Sequence, residues 1–245
     1  MSFGDDTLDS SNIPLSIKHP LIRVLDNGFV RLINSMGSDI DIVRSARVSY
    51  NSDWRGGNNE MENKDEKLIS YLLRNHHTSP FESVVFTFEI KCPIFVARQW
   101  HRHRTWAYNE VSARYTELPE EYYVPKVEQI TTQSKDNKQM RTTEQHRFAQ
   151  EIQNKIAVSN SESYEVYKNL LEEGCPRELA RSVLPVAIYT HFFGTVNLHN
   201  LLHFLRLRLH SHAQYEIRVY AEAIGSIIQH IVPVTWKYFS ETFSA

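Results

Sequence analysis

The segment RQWHRHRTWAYNEVSARYTE, residues 98–117, concentrates side chains that can bind an anion. Between Arg98 and Arg114 it holds four arginines, two histidines, one glutamate and one serine. From Arg98 to Arg114, four arginines against one glutamate give a fixed net charge of +3, whereas the whole chain carries −2. Arginine presents a planar fork of N–H donors that fits phosphate and carboxylate oxygens. The segment predicts a local anion site, and a solvated, salt-bridged surface loop is the alternative.

Polar residues continue beyond these arginines at every second position, as Glu110, Ser112 and Arg114. In an extended chain, residues at this spacing face the same way. We therefore expect the three side chains to form one side of a phosphate cradle.

A second segment, LRLRLHSHAQYE at residues 205–216, places Arg206 and Arg208 in an otherwise apolar helical pattern. One of the two is expected to point inward, where an unpaired charge would be costly. A bound anion would remove that cost. Ser211 and Gln214 have the spacing of a capping box for the following helix, which is a sufficient structural explanation for those two residues.

A third segment, HHTSPFE at residues 76–82, predicts the start of a short helix. Ser79, Pro80 and Glu82 take the N-cap, first and third positions. The free backbone N–H groups at such a start can bind an anion. Simple helix capping is the alternative explanation.

The motifs that are missing exclude several common chemistries. The chain has eight glycines, no two of them spaced as GxG, so the Rossmann fingerprint and the P-loop are absent. HExxH, CxxC and GxSxG are absent as well. His199 and His203 have the i, i+4 spacing of metal ligands, but without a matching carboxylate or cysteine cluster we expect no metal. Cys92 follows Lys91 and is expected to be a small buried hydrophobe rather than an activated thiol.

Composition and charge narrow the class of protein. The 245 residues fit one large domain or two small ones, with 41% hydrophobic and 23% charged residues, as in soluble globular proteins. A net charge of −2 argues against general nucleic-acid or membrane binding. No apolar run approaches the ~20 residues that span a bilayer, and residues 1–20 lack the pattern of a signal peptide. We expect a cytoplasmic protein with no membrane partner.

The order of the predicted elements favours one α+β domain. Strands are predicted on both sides of the turn Asp26-Asn27-Gly28, over 83–93 and over 187–197. Helices are predicted over 65–77 with Leu68, Tyr71 and Leu72 on one face, from Pro93, over about 145–172 up to Gly174, from Pro176, and over 198–209 and 213–232. Residues 1–20 are expected to be a polar N-terminal extension, 21–245 a single catalytic domain, and 127–147 a surface loop or insertion.

Taken together, these segments resemble the flavin-dependent thymidylate synthases. Arg102-His103-Arg104, seven further residues and then Ser112 reproduce that family's RHRx7S signature. NEVSARY, HHTSPFE, PRELARSVLP, TVN and LRLHSHAQYE appear in the family's order. The resemblance covers about residues 21–240.

The resemblance implies an α+β fold, with a mixed sheet flanked by long helices, and a homotetramer that binds FAD between its subunits. It implies conversion of dUMP to dTMP, with 5,10-methylenetetrahydrofolate as carbon donor and NADPH as reductant. Hydride would come from reduced FAD, with no enzyme thiol attacking the pyrimidine. The expected partners are dUMP, the folate, NADPH and further copies of the chain, without nucleic acid. The positive segment would face the phosphates of dUMP and FAD.

The matching positions also imply roles for individual residues. Arg208 would be the catalytic residue, because a fixed cation beside the uracil stabilises negative charge on the ring. The implied dUMP-binding residues are Gln99, Trp100, His101, Arg102, Glu110, Val111, Ser112, Ala113, Arg114, Arg181 and Arg208. The implied FAD-binding residues are Ser79, Arg102, His103, Arg104, Glu110, Asn197, His199 and His203, with His77 and Glu82 as candidates for further flavin neighbours.

Two positions depart from the family's common pattern. Ser79 stands where many members have threonine, which preserves the hydroxyl. His199 stands where many have arginine, so a phosphate contact there would be weaker and would depend on pH.

Two other classes of function stay open on the residues alone. A metal-dependent nucleotide hydrolase would use the histidines. A non-catalytic nucleic-acid-binding module would stack bases on the arginine–aromatic segment.

Overall fold

The computed structural model describes residues 21–49 and 61–241, so the predicted extension at 1–20 lies outside the described residues. In chain order the strands and helices are β1 (Ile22–Val24), β2 (Gly28–Met36), α1 (Asp39–Val48), α2 (Asn63–Arg74), β3 (Val85–Pro93), α3 (Ile94–Trp100), β4 (Ala107–Glu110), β5 (Thr131–Gln133), β6 (Arg141–Gln145), α4 (Ala149–Glu172), α5 (Arg177–Ala180), β7 (Tyr189–Asn197), α6 (Leu198–Arg208), α7 (Tyr215–Ile228) and α8 (Pro233–Glu241). The predicted α+β class is confirmed. Within the described ranges, no helix combines the length and the apolar composition needed to cross a bilayer.

Five strands form one sheet in the order β1-β2-β3-β7-β4. All of its strand pairs are antiparallel, so the mixed sheet implied by the resemblance is corrected to an antiparallel sheet. Phe86, Phe88 and Ile90 alternate along β3 and are fully buried. This alternation is what a strand with one face on the core requires.

Helices α3, α6 and α7 pack on the buried face of this sheet. Trp100 of α3 stacks on Phe204 of α6, with ring centroids 4.8 Å apart. It meets Tyr220 of α7 edge-on at 6.0 Å. Each fully buried aromatic side chain contributes roughly 1.5–3 kcal/mol to folding. The packing holds the end of α3, where the arginine-rich segment begins, against α6.

The opposite face of the sheet is only partly covered. Ile33, at a bulge in β2, is 46% exposed, and Phe193 of β7 is 41% exposed. Between them Glu89 accepts a hydrogen bond from Arg31 Nε at 2.6 Å and lies 2.8 Å from His191 Nε2. This face therefore combines apolar side chains with a paired charge cluster.

A smaller cluster joins α4 to the chain that follows β4. The hydroxyl of Tyr164 donates to Leu118 O at 2.9 Å, and Leu118 N–H donates to the hydroxyl of Tyr167 at 3.3 Å. Both tyrosines are buried. Gly174, just beyond α4, has φ +84°, as the predicted end of that helix requires.

The segment 127–147 contains two strands that the sequence pattern does not predict. Strands β5 and β6 pair there as an antiparallel hairpin, whereas the prediction was a surface loop or an insertion. Thr132 and Thr142 face each other with their Oγ1 atoms 2.6 Å apart. Most side chains of the hairpin are exposed or half-buried. Without a buried face the strands carry no hydrophobic alternation, which explains why the pattern missed them.

Two local predictions about helices are also wrong. In α2 the buried face contains Ile69 and Leu72, while Tyr71 is 51% exposed. Helix α7 has Gln214 as its N-cap and no side-chain cap bond, so Ser211 and Gln214 do not form the predicted capping box.

Two helices, α1 and α8, have no counterpart among the predicted elements. The buried carboxylate of Asp39, in the first turn of α1, accepts from Val234 N–H at 2.8 Å and from Thr235 N–H at 3.0 Å. It thereby stabilises the N-terminus of α8. These partners lie 195 and 196 residues from Asp39 along the chain, so no local sequence pattern predicts the contact.

Candidate active site

The turn after α3 carries Arg102, His103 and Arg104 and is held by a tyrosine from β4. His103 N–H donates to Trp100 O at 2.8 Å and closes the turn. The hydroxyl of Tyr108 lies 3.1 Å from Trp100 O and 3.0 Å from His103 O. Arg102 and Arg104 are exposed, whereas His103 between them is buried. The turn therefore presents two arginines to solvent and one imidazole to the interior.

Arg208, the last residue of α6, reaches back to this turn. Its Nε donates to Nε2 of His103 at 3.1 Å, and its Nη2 donates to Gln99 O at 3.3 Å. Arg208 is half-buried, whereas Arg206 is exposed. Arg208 is thus the inward-pointing arginine that the helical pattern predicts. Both acceptors are uncharged groups, so they orient the guanidinium without neutralising it.

Burial sets the protonation of this pair. Burial, together with the nearby Arg208 and His203, lowers the pKa of His103 to about 4. At neutral pH the imidazole is therefore uncharged, and Nε2 carries the lone pair that accepts the Arg208 Nε–H. Burial also lowers the pKa of Arg208 from its ordinary value, yet an arginine keeps its charge at neutral pH.

A small cleft beside α6 gathers residues from two of the predicted segments. It has a volume of about 100 Å³, and its polar lining includes His76, Thr78, His199 and His203. The cleft thus joins the HHTSPFE segment to the two α6 histidines. Sites for small molecules typically enclose about 300–1,000 Å³. This cleft, as the described residues line it, is therefore smaller than such a ligand needs.

Three further residues of HHTSPFE lie at the surface, whereas Pro80 and Phe81 are buried. His77, Ser79 and Glu82 are exposed. Thr78 is the N-cap of the 3-10 helix Ser79–Ser83 and makes no side-chain cap bond, so the predicted capping by Ser79 is wrong. The ring of His77 packs edge-on against Tyr71 at 5.6 Å.

Asn197 has a structural partner of its own. It is the N-cap of α6, and its Oδ1 accepts from Asn200 N–H at 3.0 Å and from Asn200 Nδ2 at 2.9 Å. Capping occupies the oxygen, so the side-chain NH2 is the group that remains for a ligand.

Glu110, Ser112 and Arg114 do not form the extended face predicted for them. Glu110 ends β4, and its Oε1 accepts a hydrogen bond from Oγ1 of Thr190. The chain then turns, with Arg114 N–H donating to Ser112 Oγ at 3.3 Å. Arg114 Nε lies 3.9 Å from Glu178 Oε2. The pairing of β4 with β7 ends at Glu110, which allows the turn.

The remaining dUMP positions differ in accessibility. The indole of Trp100 is fully buried and Ala113 is 8% exposed. Any ligand contact at these two residues would therefore be made by backbone atoms. The ring of His101 packs on Tyr108 with centroids 4.5 Å apart. Val111 and Arg181 are exposed.

Gln99 belongs to a polar network that the sequence motifs do not reveal. Its Nε2 donates to Oε1 of Gln214, and Gln214 Nε2 donates to Glu216 Oε2 at 2.8 Å. Glu216, 3% exposed, also accepts from Arg141 Nη2 at 2.7 Å. In the sequence, Glu216 stands out only as an acidic residue beside apolar helix positions. Its partner Arg141, on the β5–β6 hairpin, belongs to a segment without a recognisable pattern.

Neither a metal cluster nor the groove between β1 and α7 adds to this site. Among the described residues, no group of three or more His, Cys, Asp and Glu could hold a metal ion. A surface groove of about 420 Å³ lies between β1 and α7 and contains none of the predicted site residues.

Fold and site together define an α+β domain in which Arg208 of α6 contacts His103, and α6 lines a cleft together with the segment HHTSPFE. The profile of the family described as Thymidylate synthase complementing protein matches residues 31–234. A flavin-dependent thymidylate synthase from Treponema denticola is 50% identical over 221 residues, which cover 89% of this chain and 80% of that protein. Another from Thermus thermophilus is 50% identical over 220 residues, covering 90% and 78%. Among solved structures, the UMP/dUMP methylase PolB from Streptomyces cacaoi, bound with 5-Br dUMP, matches with a TM-score of 0.80 and 35% identity over 90% of this chain and 97% of that one.

The chain belongs to the flavin-dependent thymidylate synthases. The family, the enzyme class and the flavin cofactor predicted from the sequence are thereby confirmed. The residues present fit FAD, whose two phosphates require cationic or N–H donors. Arg102 and Arg104 are exposed and flank His103, whose ring lies 6.1 Å from that of the cleft residue His203, and these side chains can supply such donors.

Proposed function

We propose that this chain converts dUMP to dTMP, taking the carbon from 5,10-methylenetetrahydrofolate and the reducing equivalents from NADPH. Bound FAD supplies the hydride chemistry that no side chain offers. The observation that carries the proposal is the position of Arg208, a half-buried cation oriented by the uncharged His103. The chain's own residues bind, orient and stabilise charge.

Arg208 is the catalytic residue in this proposal. With Nε on His103 and Nη2 on Gln99 O, the guanidinium keeps further N–H groups for a ligand. A fixed cation beside N3 of the uracil stabilises the negative charge that develops on the ring. Partial burial strengthens that interaction, because the local dielectric constant is lower than that of water.

The proposed nucleotide-binding groups follow the matching positions. Ser112 and the exposed Arg102, Arg114 and Arg181 supply donors for the phosphate of dUMP. The Ser112 hydroxyl accepts from the Arg114 N–H, and no base is bonded to it within the described residues, which supports binding rather than nucleophilic attack.

The thiols support a mechanism without a cysteine nucleophile. Cys92 is fully buried, and burial raises its pKa well above the ordinary value, with Glu110 raising it further. A nucleophilic cysteine must be a thiolate, so this residue is poorly suited to attack. Cys175 is half-buried at the turn before α5, with Sγ 3.8 Å from Pro176 O. Both cysteines are free thiols, which agrees with the cytoplasmic location that we also propose.

A homotetramer with shared sites completes the proposal. The cleft beside α6 is smaller than a flavin requires, and the outer face of the sheet leaves Ile33 and Phe193 partly exposed. Further copies that cover these two surfaces would enlarge the cleft and bury the apolar side chains. These two observations support the tetramer implied by the resemblance.

The proposal is tested by loading the purified protein with FAD and assaying dTMP formation. We expect a bound-flavin absorption spectrum and dTMP from dUMP, methylenetetrahydrofolate and NADPH. The variant Cys92→Ala/Cys175→Ala is expected to retain turnover. A folded, FAD-loaded protein that makes no dTMP contradicts the proposed function, and a colourless protein with stoichiometric zinc or iron supports the hydrolase instead. Loss of turnover in the cysteine variant alone contradicts only the thiol-free mechanism.

A further inference from the structure

A chain of four side chains connects the β5–β6 hairpin to Gln99. Arg141 Nη2 donates to Glu216 Oε1 at 2.7 Å, and Gln214 Nε2 donates to Glu216 Oε2 at 2.8 Å. Gln99 Nε2 then donates to Gln214 Oε1. Arg141 is 75 residues from Glu216 in sequence, and Gln99 is 115 residues from Gln214. The network therefore links a surface hairpin to a proposed dUMP-binding residue.

The carboxylate at the centre determines the direction of the hydrogen bonds. A carboxylate only accepts hydrogen bonds, whereas a carboxamide has a donor end and an acceptor end. Gln214 must turn its NH2 group towards Glu216 and its oxygen towards Gln99. Gln99 must then turn its NH2 group towards Gln214. The carboxamide oxygen of Gln99 remains, and it accepts no hydrogen bond from the part of the chain that the structure describes.

The hairpin supplies the charge that makes this arrangement stable. Glu216 is 3% exposed, and such a carboxylate needs a counter-charge and hydrogen-bond donors. Arg141 provides the charge, and the hydroxyl of Tyr123 donates to Oε1 of Glu216 at 3.2 Å. Arg141 is itself held in place, because its Nη1 donates to Gln129 O at 2.9 Å. Position 216 lies in the first turn of α7, where the helix dipole also favours a negative charge.

We propose that Arg141 and Glu216 are positioning residues that hold Gln99 with its carboxamide oxygen facing the nucleotide. The site then selects an N–H or O–H donor of the substrate at that point. The inference rests on the proposed function, since Gln99 is one of the proposed dUMP-binding residues. It also gives the β5–β6 hairpin a role at the active site.

The test is a double-mutant cycle for dUMP binding to the FAD-loaded enzyme, followed through the flavin absorption. Arg141→Met and Gln99→Ala are each expected to weaken dUMP binding about tenfold. The double variant is expected to bind no more weakly than Gln99→Ala, because Arg141 acts through Gln99. The KM for dUMP should rise more than kcat falls. Losses that multiply to about a hundredfold, or no loss for Arg141→Met, overturn the inference.

A second variant protects the test against misfolding. Arg141→Met leaves Glu216 buried without its counter-charge, whereas Arg141→Met/Glu216→Gln removes both charges and preserves the shape. A glutamine at 216 donates as well as accepts, so it no longer orients Gln214. We expect the same loss of dUMP affinity in this folded double variant, and wild-type affinity in it overturns the inference.

The matched control removes an ion pair that belongs neither to this network nor to the proposed site residues. Lys237→Met breaks the exposed pair between Lys237 and Glu66, whose atoms are 3.6 Å apart, and should leave dUMP affinity unchanged. If wild-type, FAD-loaded enzyme binds no dUMP, the proposed function fails before any variant is compared. If the wild-type enzyme binds dUMP and the double variant binds no more weakly than Gln99→Ala, both the proposed function and this inference are supported.

Discussion

At the scale of single residues, the site depends on one histidine that stays uncharged beside one arginine that stays charged. His103 is 7% exposed and accepts the Nε–H of Arg208, which places a cation at the end of α6 with N–H groups to spare. An imidazolium could not accept that bond, because both of its nitrogens carry protons. The low pKa of His103 is therefore part of the way in which the site orients its cation.

Replacing this cation should separate turnover from cofactor binding. Arg208→Ala is expected to reduce dTMP formation by about 10²–10³-fold, the usual cost of removing one preorganised charge contact. FAD should remain bound, since the implied role of Arg208 is at the uracil. Steady-state kinetics and the flavin spectrum check both points, with the exposed Arg147→Ala as control. Turnover close to wild type would remove Arg208 from the mechanism.

The protonation of His103 should appear in the pH dependence of stability. Its folded pKa of about 4 lies below the ordinary 6.5, so the folded state binds fewer protons between these values. Stability from this residue is therefore present above pH 6.5 and lost as the pH falls towards 4. Melting temperatures should fall less steeply in His103→Gln than in the wild type over this window. The exposed His212→Gln should follow the wild type, and an unchanged slope in His103→Gln would contradict the assignment.

At the scale of elements, the main contribution of β4 to the site is that it positions Tyr108. The strand has four residues, and pairing with β7 places the tyrosine hydroxyl against the carbonyls of Trp100 and His103. The same pairing sends the chain from Glu110 into the turn at Ser112. One short edge strand thereby connects both halves of the RHRx7S signature to the sheet.

Removing that hydroxyl should loosen the turn. Tyr108→Phe is expected to lower the free energy of unfolding by about 1 kcal/mol, since the carbonyls lose a buried donor. Affinity for FAD should fall as well, because Arg102, His103 and Arg104 share this turn. Urea unfolding and flavin titration measure the two effects, with Tyr238→Phe on α8 as the control. Unchanged stability and FAD affinity would show that the turn does not depend on Tyr108.

At the scale of the whole molecule, the described residues bring several of the proposed site residues together, but the cleft beside α6 is too small for a flavin. The cleft beside α6 measures about 100 Å³, and the outer face of the sheet carries partly exposed apolar side chains. Burial of such side chains between copies stabilises an assembly by roughly 25 cal/mol per Å² of apolar surface. The proposed tetramer would bury the apolar side chains of the outer sheet face and enlarge the cleft.

Shared sites should be visible by complementation. Arg208→Ala and Ser79→Ala, each inactive or nearly so alone, should regain part of the activity when mixed under conditions that allow subunit exchange. Recovery is expected because some mixed sites would contain neither substitution. Light scattering should give the mass of a tetramer. A fully active monomer would contradict this arrangement.

The sequence by itself determined the strands β3 and β7, the long helix α4 and the family. These features depend on local information: alternating or helical burial patterns, a glycine at a helix end, and motifs of adjacent residues in a fixed order. Positions 102, 103, 104 and 112 needed no coordinates to be singled out, because their types and spacing form the signature. The helical pattern likewise predicted that either Arg206 or Arg208 points inward, because both lie within one apolar helical segment.

Only the tertiary structure decided which of these residues meet. His103 and Arg208 are 105 residues apart, and Arg141 and Glu216 are 75 apart, so neither pair leaves a periodic signal along the chain. The hairpin of β5 and β6 escaped prediction because a strand pair without a buried face needs no hydrophobic alternation. Contacts of this kind arise when the sheet and its helices bring distant segments together. The protonation of His103 follows from that packing, since burial and a neighbouring cation act only once the chain is folded.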